Sequence, residues 1–227
     1  GKSHQTEIAQ FHCELGQDAL LRKDLPEVEQ SVQRALQAVP NHARALILQG
    51  DYYMALERPA QAIEAWSMIA QSHPAYMHLL ADRWMLAHTQ LGKTDEGLDR
   101  LCELLKTQAS GELLDIVFKH VLRLEGPSAA ADLMAQVMRY APSLTAMAKR
   151  LEAQLSIAQA NADENAALDI KASLDLLKQK TGSLARYTCG SCGFRARRFY
   201  WQCPGCNHWE SYSPRRGEGA APSGPSM

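Results

Sequence analysis

Hydrophobic positions in the first 180 residues follow a helical period and recur at a fixed interval. Pro40 and Pro74, which each close a helical stretch, are 34 residues apart. Counted from Ala43 as position 1, residues typical of packed helices occupy positions 4, 8, 11, 20, 24 and 27, namely Leu46, Gly50, Tyr53, Ala62, Trp66 and Ile69. Residues 56–59 supply a turn, and their last residue is a proline suited to the first turn of a helix. The interval therefore predicts two helices joined by a short turn.

The same frame extends to both sides with less regular matches, and the interval that follows Pro74 is shifted by one residue. In the preceding interval the matching residues are Leu15, Gly16, Ala19, Val32 and Ala35. In the next two intervals they are Ala81, Met85, His88, Gly97, Leu101 and Leu104, and then Leu114, Phe118, Val121, Ala130, Met134 and Val137, with turns at residues 91–93 and 125–127. Helical spacing continues at Leu144, Met147, Leu151 and Leu155, and again at Ala167, Ile170, Leu174 and Leu177, up to Gly182.

A two-helix unit with a period of 34 residues resembles the tetratricopeptide repeat. Small residues at positions 8 and 20 suit this interpretation, because the two helices of a repeat cross closely there. An irregular helical bundle is the alternative, but it predicts no fixed period. We therefore predict a mostly α fold, in which residues 1–183 form a tetratricopeptide-repeat superhelical solenoid.

The concave face of such a solenoid commonly binds a peptide or a partner helix. Tyr52, Tyr53, Tyr76, Trp84 and His88 could line it, although aromatic residues at helical spacing more often belong to the core. Cys13 and Cys102 stand alone in helical patterns and are predicted to be buried. The sequence contains no nucleophile–base pair, glycine-rich phosphate loop or zinc-protease motif. We assign no catalytic residue and expect a protein without enzymatic activity.

Four of the six cysteines form two Cys-x-x-Cys pairs near the C-terminus, Cys189 with Cys192 and Cys203 with Cys206. Two intervening residues allow a tight loop to direct both sulfurs at one ion. Such a loop needs a left-handed residue just after its second cysteine, and Gly193 and Asn207 suit this position. We predict that the four cysteines bind one metal ion tetrahedrally, with zinc and iron both acceptable.

A small four-cysteine module needs its ion in order to fold, because it buries too little apolar surface. We expect a minimal core of Tyr187, Phe194, Phe199, Trp201 and Trp209, and a strand over residues 198–201. The predicted domains are residues 1–183, 184–217 for the four-cysteine metal module, and 218–227 for a disordered tail rich in Gly, Pro, Ser and Ala. Residues 181–183 look like a linker.

Composition and charge narrow the function classes. Hydrophobic residues make up 46% and charged residues 22% of the 227 residues, which is ordinary for a soluble globular protein. The formal net charge of −1 excludes the overall basicity typical of a nucleic-acid-binding protein. No apolar run is long enough to span a membrane, and no signal peptide is evident.

The C-terminal motifs resemble those of a known family. They are Tyr187-x-Cys189-x-x-Cys192-Gly193-Phe194, then Tyr200-Trp201-x-Cys203-Pro204-x-Cys206, and finally Pro214-x-Arg216-Gly217, after helical repeats that carry His12-Cys13-Glu14-Leu15 near their start. This combination is similar to the lipopolysaccharide assembly protein B family, strongly over the last forty residues and more loosely in the repeats.

The resemblance implies tetratricopeptide repeats joined to a rubredoxin-type domain, with Cys189, Cys192, Cys203 and Cys206 as metal ligands. It also implies a location at the cytoplasmic face of the bacterial inner membrane, held by one N-terminal helix. The implied function is that of a non-enzymatic adaptor of lipopolysaccharide synthesis. Its implied protein partners are a membrane AAA+ protease, the lipid A-committing deacetylase that this protease degrades, and inner-membrane regulators. The membrane helix is absent from this chain and the repeats are fewer, so we expect a truncated, soluble form.

Two other functions remain open from the residues alone. One is electron transfer of the rubredoxin type, in which a bound iron would change oxidation state. The other is nucleic-acid binding by a zinc ribbon, because Arg195, Arg197 and Arg198 stand beside aromatic residues that could stack on bases. We favour the adaptor and no nucleic-acid partner, because the aromatic residues are needed for the core of the module.

Overall fold

The computed structural model of the protein describes residues 2–181 and 187–213. Its α-helices are α1 (Lys2–Leu21), α2 (Leu25–Ala38), α3 (Ala43–Ala55), α4 (Pro59–Ser72), α5 (Ala81–Gln90), α6 (Thr94–Gln108), α7 (Gly111–Leu124), α8 (Pro127–Tyr140), α9 (Leu144–Ala160) and α10 (Glu164–Thr181). A 3-10 helix, Pro74–Leu79, precedes α5. Two short strands, β1 (Tyr187–Thr188) and β2 (Arg195–Ala196), pair in antiparallel register.

The chain divides into two compact units, Gly1–Leu104 and Leu105–Met227, with the boundary inside α6. The predicted domain boundaries at residues 183 and 217, most of the predicted linker and the predicted disordered tail lie outside the described residues. These assignments therefore stay predictions. No helix of the described segments combines the length and the apolar character that crossing a membrane requires.

Five helical pairs within residues 2–181 turn in the same way. The second residue after the first helix of each pair has a positive φ, namely Lys23, Glu57, Gly92, Gly126 and Ala162. In four of these turns the following N–H donates to the carbonyl oxygen five residues earlier, at 2.8 to 3.0 Å. At the fourth turn Pro127 has no N–H, and Gly126 itself donates to the Val121 carbonyl over 3.2 Å. This common C-terminal motif provides hydrogen-bond donors to carbonyl groups at the end of each first helix.

Within the second pair, the two helices approach most closely at Gly50. A Cβ at Gly50 would overlap the indole ring of Trp66, which is fully buried. The Trp66 Nε1–H donates to the carbonyl of Ile47 over 3.2 Å and so ties α4 to α3. In the third pair, Trp84 of α5 donates to the Gly97 carbonyl of α6 over 3.1 Å. Small residues therefore permit the helix crossings that the repeat pattern predicted.

The core matches the predicted fold, and the mostly α, tetratricopeptide-repeat fold is confirmed. In the second unit, α7 and α8 bury the predicted residues Leu114, Phe118, Val121, Ala130, Met134 and Val137. Two of the aromatic candidates for a groove, Trp84 and His88, are buried in the first unit. These two residues belong to the core, as we favoured from the sequence.

The prediction that Cys102 is buried is wrong, and two residues that follow the repeat frame, Leu15 and Leu104, are not fully buried. Leu15 is 52% exposed, because α1 packs on α2 and α3 through Ala9, Cys13, Gly16 and Ala19, and Leu15 lies beside this buried face. In α6 the buried stripe is Leu98, Leu101 and Leu105. Cys102 and Leu104 lie at the edges of that stripe and are half-buried.

Helix α9 also departs from the expected pattern. Leu144 and Met147 are exposed, while Leu151 and Leu155 are half-buried. The helix packs against α7, α8 and α10 and buries the alanines Ala146, Ala148, Ala153 and Ala158 instead. A helix with neighbours on several sides needs small residues at its closest contacts, so the leucines are displaced outward.

The His12-Cys13-Glu14-Leu15 motif links α1 to α3. Cys13 is fully buried, with its sulfur 3.9 Å from Nδ1 of His42, the residue that caps α3. Glu14 forms an ion pair of 2.7 Å with Arg44 in the first turn of α3. The motif therefore contributes to packing between neighbouring repeats.

We predict that Gly50→Ala destabilises the first unit by about 1–3 kcal/mol, because the new methyl group overlaps the Trp66 indole. An alanine elsewhere in a helix would be roughly 1 kcal/mol more favourable than glycine, so the sign itself is informative. Thermal denaturation followed by circular dichroism measures the change. In a Trp66→Leu background the same substitution should cost much less. An equal cost in both backgrounds would contradict the close approach of the two side chains.

Candidate metal centre

Two loops of the C-terminal module have the same backbone conformation. In the first, the N–H of Gly193 donates to the Cys189 carbonyl over 2.9 Å, and in the second Asn207 donates to Cys203 over 2.8 Å. Gly193 has a φ of 75° and Asn207 a φ of 59°. Both residues therefore adopt the left-handed conformation that the spacing of the cysteines predicted. We call these loops the first knuckle (residues 189–194) and the second knuckle (residues 203–208).

The knuckles bring four sulfurs together. The Sγ atoms of Cys189, Cys192, Cys203 and Cys206 all lie within 4.8 Å of one another. Across the knuckles, the Cys189 and Cys206 sulfurs are 3.8 Å apart and those of Cys192 and Cys203 are 3.7 Å apart. A tetrahedral ion with metal–sulfur bonds of about 2.3 Å requires sulfur–sulfur distances of about 3.8 Å. The arrangement therefore fits one tetrahedral metal ion.

Backbone N–H groups surround these sulfurs. Ser191 donates to the Cys189 sulfur and Gly205 to the Cys203 sulfur, each over 3.4 Å. The backbone N–H groups of Phe194 and His208 bond the sulfurs of Cys192 and Cys206. These dipoles stabilise negative charge on sulfur, as a thiolate site requires.

The thiols differ in acidity between the two positions of each knuckle. Burial raises the pKa of Cys189, but hydrogen bonds from Ser211 and from backbone N–H groups outweigh it and lower the pKa to about 5. The pKa of Cys203 is also lowered, because hydrogen bonds from Tyr212 and the backbone outweigh burial. The N–H of His208 lowers the pKa of Cys206, yet burial and the neighbouring sulfurs raise it to about 12. Like charges disfavour four adjacent thiolates, and a divalent cation removes that penalty.

Two side-chain hydroxyl groups also reach the cluster. Ser211 Oγ lies 3.2 Å from the Cys189 sulfur, and the Tyr212 hydroxyl lies 3.6 Å from the Cys203 sulfur. The sequence analysis missed both residues. A backbone pairing between Cys189 and Tyr212 places them beside the first knuckle. The positions of Ser211 and Tyr212 in the sequence give no signal of these contacts, so sequence alone offered little to find them.

The core of the module differs in part from the prediction. Tyr187 and Tyr212 are each 2% exposed and pack with Ala196 and the buried cysteines. Phe199 meets the Tyr187 ring edge-on at 5.7 Å and packs against this core, as expected. Trp201 and Trp209 are half-buried.

Two expectations for the module are wrong. Phe194 is 43% exposed, because its ring covers the second knuckle beside Gly205, where a Cβ would lie 3.2 Å from it. Residues 198–201 do not form a strand. The observed strand is Arg195–Ala196, and the chain then bends so that Phe199 turns inward onto Tyr187.

Within the described part of the module, Arg195, Arg197 and Arg198 are exposed. Arg195 stands on β2, and Arg197 and Arg198 follow at the bend. The guanidinium of Arg198 lies over the Tyr200 ring, 4.9 Å from its centroid, and its Nε donates to the Tyr200 hydroxyl over 2.7 Å. This stacking occupies one face of Tyr200.

Comparison with known proteins agrees with this geometry. Residues 187–214 match the model of a family described as a rubredoxin metal binding domain. Lipopolysaccharide assembly protein B of Escherichia coli strain K12 is 28% identical over 222 residues, which cover 96% of this chain and 55% of that protein. The chain is similar to lipopolysaccharide assembly protein B. The resemblance expected from the sequence is thus confirmed, and the likeness to lipopolysaccharide assembly protein B includes both the helical pairs and the four-cysteine module.

A second relative is lipopolysaccharide assembly protein B of Haemophilus influenzae, 24% identical over 217 residues, or 94% of this chain and 53% of that protein. The chain therefore spans about half the length of the curated relatives it matches. Among solved structures, that of pilF of Pseudomonas aeruginosa aligns with a TM-score of 0.47 at 13% identity. It covers 79% of this chain and 95% of that one.

The assignment of the four cysteines as metal ligands is tested by removing one of them. We predict that Cys189→Ser or Cys206→Ser releases the ion and unfolds the module, because the ion supplies on the order of 10 kcal/mol to a fold of this kind. Elemental analysis should show loss of about one metal equivalent per chain.

The helical pairs have their own core and should keep their helical circular dichroism signal in these variants. Cys102→Ser is a matched control, since its sulfur lies outside the cluster, and it should retain the metal. Loss of helical signal from the whole chain on chelation would show that the helices also depend on the ion.

Proposed function

We propose that this chain is a non-enzymatic adaptor that regulates lipopolysaccharide synthesis at the cytoplasmic face of the bacterial inner membrane. In this role it promotes proteolysis of the lipid A-committing deacetylase by a membrane AAA+ protease, under the influence of inner-membrane regulators. The observation that carries the proposal is the similarity to lipopolysaccharide assembly protein B along 96% of the chain. Because the chain covers 55% of that relative, the activity of the whole protein comes to it only as a proposal.

The four-cysteine site supports a structural role for the metal. We propose Cys189, Cys192, Cys203 and Cys206 as the ligands of one zinc or iron ion. Four sulfur ligands complete a tetrahedral coordination shell, so no position is left for a substrate or an activated water. The knuckles already supply the geometry and the N–H donors that such an ion needs. The contribution of the site to function is therefore the shape and charge of the surface that it holds.

That surface is basic on one side of the module. Arg195 and Arg197 are exposed next to the first knuckle, and Glu210 is the acidic residue of the described part of the module. Arginines at an interface favour partners with carboxylates, because the planar guanidinium forms two parallel hydrogen bonds. We propose that these arginines contact an acidic surface of a protein partner.

The contacts of the aromatic residues favour this proposal over nucleic-acid binding. Base stacking needs free aromatic faces. Phe199 and Tyr200 pack against the buried core of the module, and Phe199 also meets the Trp201 ring edge-on at 5.0 Å. Arg198 covers one face of Tyr200. The rings of Phe199 and Tyr200, which stand next to the arginines, are therefore already engaged within the module.

The test is charge reversal at two arginines of the full-length protein. Arg195→Glu with Arg197→Glu should weaken partner binding roughly 10-fold and slow degradation of the deacetylase, because like charges would face an acidic partner. Deacetylase half-life in cells, with binding measured on purified proteins, gives the readout. Lys171→Glu, a charge reversal at an exposed position of α10, is the matched control and should change neither quantity.

Metal content of the arginine variant must equal that of the unmodified protein, so that loss of the ion is not mistaken for loss of contact. A titration with labelled single-stranded oligonucleotide at two salt concentrations examines the competing function. Binding that is micromolar or tighter and falls steeply with salt would overturn the adaptor assignment. Unchanged deacetylase half-life in both the arginine variant and a metal-ligand variant would also count against it.

A further inference from the structure

The hydroxyl group of Tyr212 lies in the interior of the module beside a proposed ligand. Tyr212 is 2% exposed and Cys203 is fully buried. The tyrosine oxygen lies 3.6 Å from the Cys203 sulfur, within hydrogen-bonding range for sulfur. A buried tyrosine hydroxyl normally requires a hydrogen-bond partner, because leaving it without one is unfavourable. The sulfur of Cys203 provides that partner here.

Ser211, the preceding residue, has its hydroxyl between two acceptors. Its Oγ is 3.2 Å from the Cys189 sulfur and 3.2 Å from the carbonyl oxygen of His208. A hydroxyl group has one proton and can donate to one of them at a time. While Cys189 is a thiol, its S–H donates to Ser211 Oγ and the hydroxyl donates to His208. A thiolate can only accept, so a metal-bound Cys189 draws the hydroxyl proton toward sulfur.

Both contacts fall on equivalent sulfurs of the two knuckles. Cys189 and Cys203 are the first cysteines of their knuckles, and both are buried. Cys192 is exposed and Cys206 is half-buried. Among the described residues, the hydroxyl donors thus reach the two inner sulfurs, and they come from adjacent residues of one segment. This segment is held in place by the pairing of Tyr212 with Cys189 and by the Gly190 N–H, which donates to the Ser211 carbonyl over 2.7 Å.

We propose that Ser211 and Tyr212 are positioning residues of the metal site, whose hydroxyl groups hold the inner sulfurs of Cys189 and Cys203 and slow the loss of the ion. The proposal rests on the assignment of the four cysteines as ligands. Hydrogen bonds to a ligating sulfur fix the side-chain rotamer of the cysteine and compensate part of its negative charge. Residues that orient metal ligands in this way typically change metal affinity 10- to 100-fold when removed.

Removal of each hydroxyl separates this contribution from packing. Tyr212→Phe keeps the ring that packs in the core, and Ser211→Ala is a change at a half-buried position. Zinc dissociation from the full chain into excess chromophoric chelator gives the rate of metal loss. We expect each variant to lose zinc roughly 10-fold faster than the unmodified protein. Tyr200→Phe is the matched control, because it removes a hydroxyl of the same module that bonds Arg198, and its rate should stay within about 2-fold.

A spectroscopic measurement distinguishes positioning from a general loss of stability. In the cobalt-substituted protein, the sulfur-to-metal charge-transfer bands should shift in Tyr212→Phe and Ser211→Ala, because hydrogen bonds to sulfur change its electron density. They should not shift in Tyr200→Phe. Should Tyr212→Phe fail to fold, Ser211→Ala decides the question alone.

The inference would be overturned if Ser211→Ala and Tyr212→Phe had the same zinc-dissociation rates and charge-transfer bands as Tyr200→Phe. That result would leave the ligand assignment intact. Failure of the ligand assignment has a different signature, namely an unmodified protein that binds no zinc or a Cys189→Ser variant that retains it. In that case the inference is overturned together with the metal site. The two failures are therefore distinguishable in one set of measurements.

Discussion

Four sulfurs meeting within 4.8 Å impose the fold of the C-terminal module. Its described strands are two residues each, and its buried cluster contains five residues, of which two are cysteines. Such a small apolar cluster cannot offset the conformational entropy of ordering the chain. Coordination by the proposed ligands would supply the remaining cohesion, because each pair of facing sulfurs joins one knuckle to the other. The left-handed residues of the knuckles direct the sulfurs toward one point, and the N–H donors stabilise negative charge on them.

The helical part depends on a different constraint, the close approach of paired helices. In five turns the second residue after the first helix has a left-handed conformation, and three of these five residues are not glycine. Lysine, glutamate and alanine adopt this conformation at some steric cost. The repeated 6→1 hydrogen bonds and the packing of the following helix offset that cost. The geometry of the turn is therefore set by the pairing of the helices and less by the residue at the turn itself.

Sequence reasoning succeeded where one residue type satisfies one backbone requirement. Gly193 and Asn207 were predicted to be left-handed, and both are. It failed where burial depends on neighbours that the period does not show. Leu15 follows the repeat frame, yet it lies beside the buried face of α1 and is exposed. Leu144 follows helical spacing, yet α9 has neighbours on several sides and buries alanines. Tyr212 was missed because residue spacing encodes neither its backbone pairing with Cys189 nor the contact of its hydroxyl with Cys203.

A closed metal site still has consequences for the surface beside it. Arg195 stands on β2, one residue after Phe194, which itself follows the left-handed Gly193 of the first knuckle. Its backbone pairs with Thr188, which precedes Cys189. The backbone of Arg195 is thus held on both sides by residues next to proposed metal ligands. Under the proposed function, an ion that takes no part in chemistry would hold the strand that carries Arg195, and partner binding would depend on the metal without any contact between partner and metal.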